Sequence, residues 1–329
     1  MVPQNRLRFT FHFFGDTSAQ VSSQNDPHGA FSLGSLVLHL MGDLSPSVDA
    51  LTEDVIETTE LGLKAEVEQL AIRWRYGPGT LEVGRFHTEI GYWNTAYHHG
   101  LWLQTPIERP HVLRFEDDGG LVPVHWVGAH YTLRLGSNVQ IVGGVANGRG
   151  KTKEEVQVLT DTNDAKAVLF KIRVKGSGLE VGAGAIYDRI APADATARPA
   201  LPATSIQELD GNIYAVANTD DVLMIAEGYA LHHRAAGKGW TTFAGVGLIG
   251  LRVRPWWVPY VEADVIYADD ADPYFQPMPG APSLTLYEGI VGARFEVSTW
   301  SAVKLEARLT RSNGDKDDYT GIANWSFGL

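Results

Sequence analysis

From its first residues the chain alternates in character one side chain at a time. Arg6, Arg8, Thr10 and His12 fall on one side, and Leu7, Phe9, Phe11 and Phe13 on the other. A period of two marks a strand whose two faces meet different surroundings. The pattern recurs to the end of the sequence. In the later segments the apolar side reads Val261, Ala263, Val265 and Tyr267, then Val291, Ala293, Phe295 and Val297, then Val303, Leu305, Ala307 and Leu309. It finishes with Ala323, Trp325, Phe327 and Leu329. The opposite side carries Glu262 and Asp264, Glu288, Arg294 and Glu296, Lys304, Glu306 and Arg308, and Asn324 and Ser326. Charges of both signs therefore share one face. In a closed barrel that face is the wet lumen, because a Lys or Arg turned to lipid near the midplane costs about 2–4 kcal/mol. Aromatic residues near strand ends, Trp74, Tyr76, Trp126, Tyr187, Trp240, Trp257, Trp300 and Trp325, suit interfacial girdles.

Strands are expected at about 6–20, 29–44, 47–60, 62–77, 80–90, 123–136, 138–148, 164–176, 178–190, 205–218, 221–233, 238–253, 256–269, 283–297, 300–312 and 318–329. About sixteen strands is an even count, as in single-chain bacterial barrels. Every second connection is tight: Leu44–Ser47, Tyr76–Gly79, Leu135–Asn138, Lys175–Gly178, Asn218–Asp221, Arg254–Trp256 and Ser298–Thr299. Most contain residues suited to positive φ, fixed φ or side-chain capping. The intervening connections, near 20–29, 90–123, 148–164, 190–205 and 269–283, are longer, with shorter members near 60, 235 and 314. Sorting connections this way gives a barrel one rim of turns and one of loops; a soluble sandwich has no reason to do it.

Composition narrows the alternatives. In 329 residues no apolar run approaches the length of about 18 that a transmembrane helix needs. No linker and no composition break divides the chain, which argues for one barrel domain over residues 1–329. There is no cysteine, so disulfides, zinc–thiolate sites and thiol nucleophiles are absent together. A net charge of −12 makes nucleic acid a poor partner. The opening MVPQNRLRFTFHFF shows no basic segment followed by an apolar stretch and a cleavage site, and the expectation is a mature chain whose signal peptide has been removed.

One stretch breaks the alternation. Between Phe86 and Gly128, aromatic, histidine, arginine and acidic residues crowd a segment that is neither strand nor turn, and residues 88–122 form a loop between the fifth and sixth strands. A structureless loop of about thirty residues needs a functional reason or is disordered, and its Trp, Tyr, Ile and Leu content argues against disorder. Folded into the lumen, it would narrow a pore. Arg85, His87, Glu89, His98, His99, Arg109, His111, Arg114, Glu116, Asp117 and Asp118 are the candidates to line the constriction. Strand parity turns Arg73, Arg75, Lys171, Arg173 and Lys175 inward as a basic wall opposite Glu116, Asp117 and Asp118, unless these cations form ladder ion pairs with Glu68, Glu180 or Glu227. Acids facing bases across a pore make a transverse field, and their mixed signs favour weak selectivity. The loop histidines lack the spacing of a zinc motif, no nucleophile elbow appears, and the loop contains no Ser. The expectation is neither metal, cofactor nor enzyme, with a barrel enzyme as the competing reading.

The strand ending Leu81-Glu-Val-Gly-Arg-Phe-His87, followed by Ile90-Gly-Tyr-Trp-Asn-Thr-Ala-Tyr-His-His-Gly100 and Phe115-Glu-Asp-Asp-Gly-Gly120, resembles Gram-negative porins, nearest the phosphate-selective type and its relatives. The final strand ending at Leu329 resembles the signal that outer-membrane insertion machinery reads. The arginine and lysine ladder of phosphate-selective members is not evident. The resemblance implies an all-β transmembrane antiparallel barrel in the outer membrane, in contact with lipid, with an inward third loop and passive diffusion of small polar solutes and ions. An anion- or phosphate-selective pore is the alternative. It also implies a homotrimer, with the small-residue strands near Val139–Gly144 and Val181–Ala185 as candidate contacts.

Overall fold

The alternating segments become strands that hydrogen-bond in chain order until the last meets the first. The computed structural model describes residues 8–24, 29–59, 62–97, 100–157, 161–278, 280, 282–313 and 316–329. Among these the strands are β1 (Arg8–Ser22), β2 (Gly29–Ser45), β3 (Val48–Thr59), β4 (Gly62–Tyr76), β5 (Gly79–His87), β6 (His125–Leu135), β7 (Val139–Ala146) and β8 (Ala167–Lys175). They continue as β9 (Leu179–Ile190), β10 (Ile206–Asn218), β11 (Val222–Ala235), β12 (Lys238–Leu251), β13 (Trp257–Tyr267), β14 (Leu286–Ser298), β15 (Ser301–Ser312) and β16 (Asp318–Gly328). All neighbours are antiparallel and the sheet closes into a barrel. At the seam Asp16 of β1 lies opposite Ser326 of β16, and Phe13 and Leu329 exchange backbone hydrogen bonds of 3.0 and 2.8 Å. Closure removes the edge strands that would otherwise expose unpaired backbone.

The faces are inverted relative to a water-soluble protein. On β13 to β16 the outward Val261, Val291, Leu305 and Trp325 are 48%, 65%, 48% and 47% exposed. The inward Glu262, Arg294, Lys304, Glu306, Arg308 and Asn324 are all buried. Each outward Leu, Val or Phe left in water forgoes about 1.5–3 kcal/mol of burial, so a belt of them around the barrel calls for an apolar surrounding. Tyr76, Trp74, Tyr187 and Trp300 are exposed toward the ends of this belt. Two aromatics expected in the girdles are not there. Trp126 is buried in the interior cluster and Trp240 is partly buried against the same cluster, because each lies on the inward parity of its strand.

One rim carries the tight turns, such as Gly136, at φ +65°, before β7. The other rim carries the long segments 88–124, 147–166, 191–205 and 268–285, interrupted by a two-residue turn at Ala236-Gly237, where φ is 48° and 77°. A barrel of this many strands is too wide for its own inward side chains to fill. Chain folded in from the loop rim occupies part of it. Ile90, Trp93, Val112, Leu113, Leu121 and Val122 of the segment after β5 pack against Phe86, Trp126, Val142, Leu169 and Ile186 of the wall. This apolar cluster inside the barrel fixes the loop without regular structure beyond a short helix, α1 (Trp93–Ala96), and 3₁₀ turns at Leu101–Leu103 and His111–Leu113.

Candidate functional site

The loop leaves the wall where two glycines meet. Gly84 of β5, at φ +141°, lies opposite Gly128 of β6. A Cβ at Gly84 would sit 2.1 Å from the Leu70 carbonyl oxygen. The neck then closes: the Thr88 amide donates to the Val124 carbonyl at 2.8 Å, and the Asn94 side-chain amide donates to the Thr88 carbonyl at 2.8 Å.

Beyond the neck, inward charges of the wall hold the loop mainly by its backbone. Glu227 of β11 accepts the amides of Tyr92 and Trp93 at 3.1 and 2.6 Å. Lys171 of β8 donates to the Gly91 carbonyl at 2.7 Å and the Thr95 hydroxyl at 3.2 Å, and lies 3.4 Å from Glu89. On the far side Lys304 of β15 donates to the carbonyls of Leu101, Gln104 and Pro106, the last two at 2.8 and 2.9 Å. Arg294 of β14 donates to the carbonyls of Trp102 and Gln104 at 2.6 and 2.7 Å. Glu306 accepts the Ile107 amide at 2.6 Å, Arg308 pairs with Glu108 at 2.7 Å, and Asp264 accepts the His111 amide at 2.5 Å. Buried charges are tolerable because each meets partners of this kind.

The return leg is tied by Glu116, which accepts the amides of Val124 and His125 at 2.7 and 2.8 Å and lies 3.0 Å from the His125 ring. Burial alone would raise this carboxyl, but attraction to His125 and these hydrogen bonds hold it down at about 2.

Two further loop segments close the lumen on the same side. Arg149 is buried with its guanidinium 2.6 and 2.9 Å from the Glu208 oxygens and beside the rings of Tyr274 and Phe275. His233 bridges Asp272 at 2.7 Å and Glu208 at 3.3 Å. The lumen along β8 to β13 is thus packed.

The β1 to β3 side is not. A cavity of about 400 Å³ separates Asp16, Ser32, Ser35, Glu57 and Thr58 of the wall from Leu101, Gln104, Glu108, Arg114, Phe115 and Asp118 of the loop. It shares Glu108 and Arg114 with a second cavity of about 750 Å³ that reaches Lys316 and Asp318.

Of the residues expected at the constriction, Arg109, Arg114 and Asp118 line the first cavity, and Arg114 and His111 the second. Arg85 pairs with Glu68 at 2.9 Å beside a third cavity, which Asp117 also lines while pairing with Lys64. His87 and Glu116 are buried, Glu89 is spoken for by Lys171, and His98 and His99 lie outside the described residues. Arg109 lies inside the loop, donating to the carbonyls of Leu113 and Tyr97 and to Asn94, with its guanidinium over the Phe115 ring.

The basic wall points inward but does not face Glu116, Asp117 and Asp118, which corrects that expectation. Arg73 and Arg75 pair with Asp49, Arg173 and Lys175 lie 3.6 and 3.9 Å from Glu180, and Lys171 anchors the loop. An inward carboxylate next along the ladder is a nearer partner than one across the lumen. Asp16, Ser32, Ser35, Glu57 and Thr58 were missed. Alternation does not gather them, since Ser32 and Ser35, like Glu57 and Thr58, differ in parity and β2 shifts register opposite Asp16; nor does the sequence say which wall stays clear. Among the described residues no group of three or more His, Cys, Asp or Glu is placed to hold a metal ion.

A closed sixteen-stranded barrel with a loop crossing its lumen defines the porin fold, and solved structures share it. The anion-selective porin of Comamonas acidovorans superposes with a TM-score of 0.73 at 10% identity, over 98% of this chain and 100% of that one. Salmonella typhi OmpF, in a complex with daunomycin, gives 0.70 at 9% identity over 98% and 97%. OmpT in its trimer form, an outer membrane protein of Vibrio cholerae, gives 0.65 at 11% over 98% and 99%. No protein-family model matches the sequence, and no curated protein matches it.

Proposed function

We propose that the protein is an outer-membrane pore through which small hydrophilic solutes and ions diffuse passively. The observation that carries this reading is that the loop fills only part of the lumen. It is stitched to β8, β11, β13, β14 and β15, while open space remains beside it toward β1 to β3 and toward β14 to β16. A plug would fill the lumen; a constriction leaves such space. The apolar outer belt matches a bilayer core, and strands of mostly 9–17 residues meet or exceed the roughly 9–11 needed to cross it. The named relatives of the fold, porins and an outer membrane protein, support an outer-membrane site and a transport role rather than catalysis. The trimer form of the Vibrio protein supports a homotrimer, for which the outward Ile141, Gly143, Val181 and Ala183 offer a flat contact face.

The test is single-channel recording in planar bilayers. Steady ohmic steps support a pore; a membrane-inserted, folded barrel that never conducts refutes it. Chemical crosslinking in mild detergent reads the oligomer separately.

A further inference from the structure

The opening between the loop and β1 to β3 has a charge balance unlike the loop as a whole. Its lining carries four carboxylates, Asp16, Glu57, Glu108 and Asp118, against two guanidiniums, Arg109 and Arg114. Their pairing sharpens the imbalance. Arg114 lies 2.9 Å from Glu108, and Arg308 adds a second cation to the same carboxylate at 2.7 Å, so Glu108 is neutralised. Arg109 is turned into the loop, bonded to carbonyls and an amide. Asp16 takes hydrogen bonds only from neutral groups, Ser35 at 3.0 Å and Asn324 at 3.3 Å. The carboxylates of Glu57 on the wall and Asp118 on the loop have no ion-pair or hydrogen-bond partner among the described residues, and both residues line the opening. Lys64, whose charge reaches Glu57 and Asp118, is held by Asp117 and by Glu66 at 2.8 Å, and Lys304 beside the opening is held by loop carbonyls.

We infer that this opening favours cations over anions, with Glu57 and Asp118, one on each side of the gap, as the residues that set the preference. The inference rests on the pore reading and deepens it. A cavity of about 400 Å³ is about 9 Å across if round, within one screening length of about 10 Å at 0.1 M salt, so a passing ion cannot escape their field. The cations of the basic wall do not offset it, because Asp49, Glu180 and the loop backbone already engage them. Small ammonium or guanidinium solutes of the same sign would share the preference.

The experiment is the reversal potential of the reconstituted full chain under a KCl gradient at pH 8. A potassium-to-chloride permeability ratio above about 2 is expected for two unpaired charges at this range. It should fall toward 1 in Glu57→Gln/Asp118→Asn and equally in Glu57→Lys, since each change makes the gap less negative by two charges. A ratio at or below 1 in the unaltered protein overturns the inference while leaving the pore reading standing. So does a ratio unchanged in both variants while they still conduct. A folded barrel that passes no current refutes the pore reading, and this inference with it.

Discussion

Lys304→Met is the substitution that isolates what holds the loop across the lumen. Methionine keeps the length and bulk of the side chain and loses the ammonium. Lys304 is fully buried, and its three donors go to the carbonyls of Leu101, Gln104 and Pro106. A hydrogen bond to a charged group contributes about 1.5–3 kcal/mol, so the three sum to roughly 5–9 kcal/mol before compensation. Two effects reduce this. The released carbonyls can take water from the adjoining cavity, which Leu101 and Gln104 line, and Arg294 still holds Trp102 and Gln104. A net loss of about 2–4 kcal/mol remains, worth roughly 30- to 900-fold in the population of displaced loop. None of the ladder between β15 and its neighbours is touched. The expected channel therefore inserts and folds normally but shows larger open-state noise, sub-conductance steps and closure at lower voltage. The loop should also be cut faster by protease in detergent while thermal unfolding of the barrel changes little. A variant matching the parent in noise, voltage response and cleavage rate would mean that the apolar cluster around Trp93 and Leu113 holds the loop by itself, and the backbone-anchor argument would fall.

Three further outcomes follow from the same geometry. Glu116 is held at about 2 against an ordinary 4.5, so its contribution to docking is complete above about pH 4.5 and fades as pH falls through 2. The loop's protease resistance should hold steady from pH 8 to 5 and change only in that acid window; loosening of the loop already at pH 6 would contradict the assignment. Gly84→Ala places a methyl against the Leu70 carbonyl and the Ala71 backbone at a positive φ, and should cost about 1–3 kcal/mol, read as a smaller folded fraction in a heat-shift gel. Arg149→Met leaves buried Glu208 and Asp210 without their guanidinium and should lower barrel stability by about 3–5 kcal/mol in detergent melts, with an unchanged melt counting against the network.

The barrel was readable because its two faces meet such different surroundings that parity survives in almost every strand. The expected 29–44 and 80–90 became Gly29–Ser45 and Gly79–His87, shifts of a few residues that leave the faces unchanged. Where parity was not applied, as at Trp126 and Trp240, aromatic character near a strand end misled. The loop was readable for the opposite reason, since it fits no period. Its docking was not. Lys304 and Leu101 are 203 positions apart, and the partner is a backbone carbonyl that every residue carries. Such a contact leaves no mark in side-chain pattern. The basic wall failed differently: parity aimed Arg73, Arg75 and Arg173 correctly, but pairing depends on strand register, which put Asp49 and Glu180 within reach first.

The off-centre opening follows from how a loop of this length must be held. A segment without its own ladder has amides and carbonyls to satisfy, and in a wet lumen water would take them unless wall charges compete. Glu227, Asp264 and Glu306 meet amides, whereas Lys171, Arg294 and Lys304 meet carbonyls, and all six stand on β8 to β15. Across the lumen, β1 to β3 present Asp16, Ser32, Ser35 and Glu57 at the same cavity, residues too short or of the wrong sign to reach a carbonyl. The wall that lacks long cations holds none of the loop's backbone anchors, and meets it instead through the Trp102 ring on Phe14. Charge balance at the opening is then a consequence of anchoring: the bases are spent on holding backbone or on paired acids, and the acids left over face the gap.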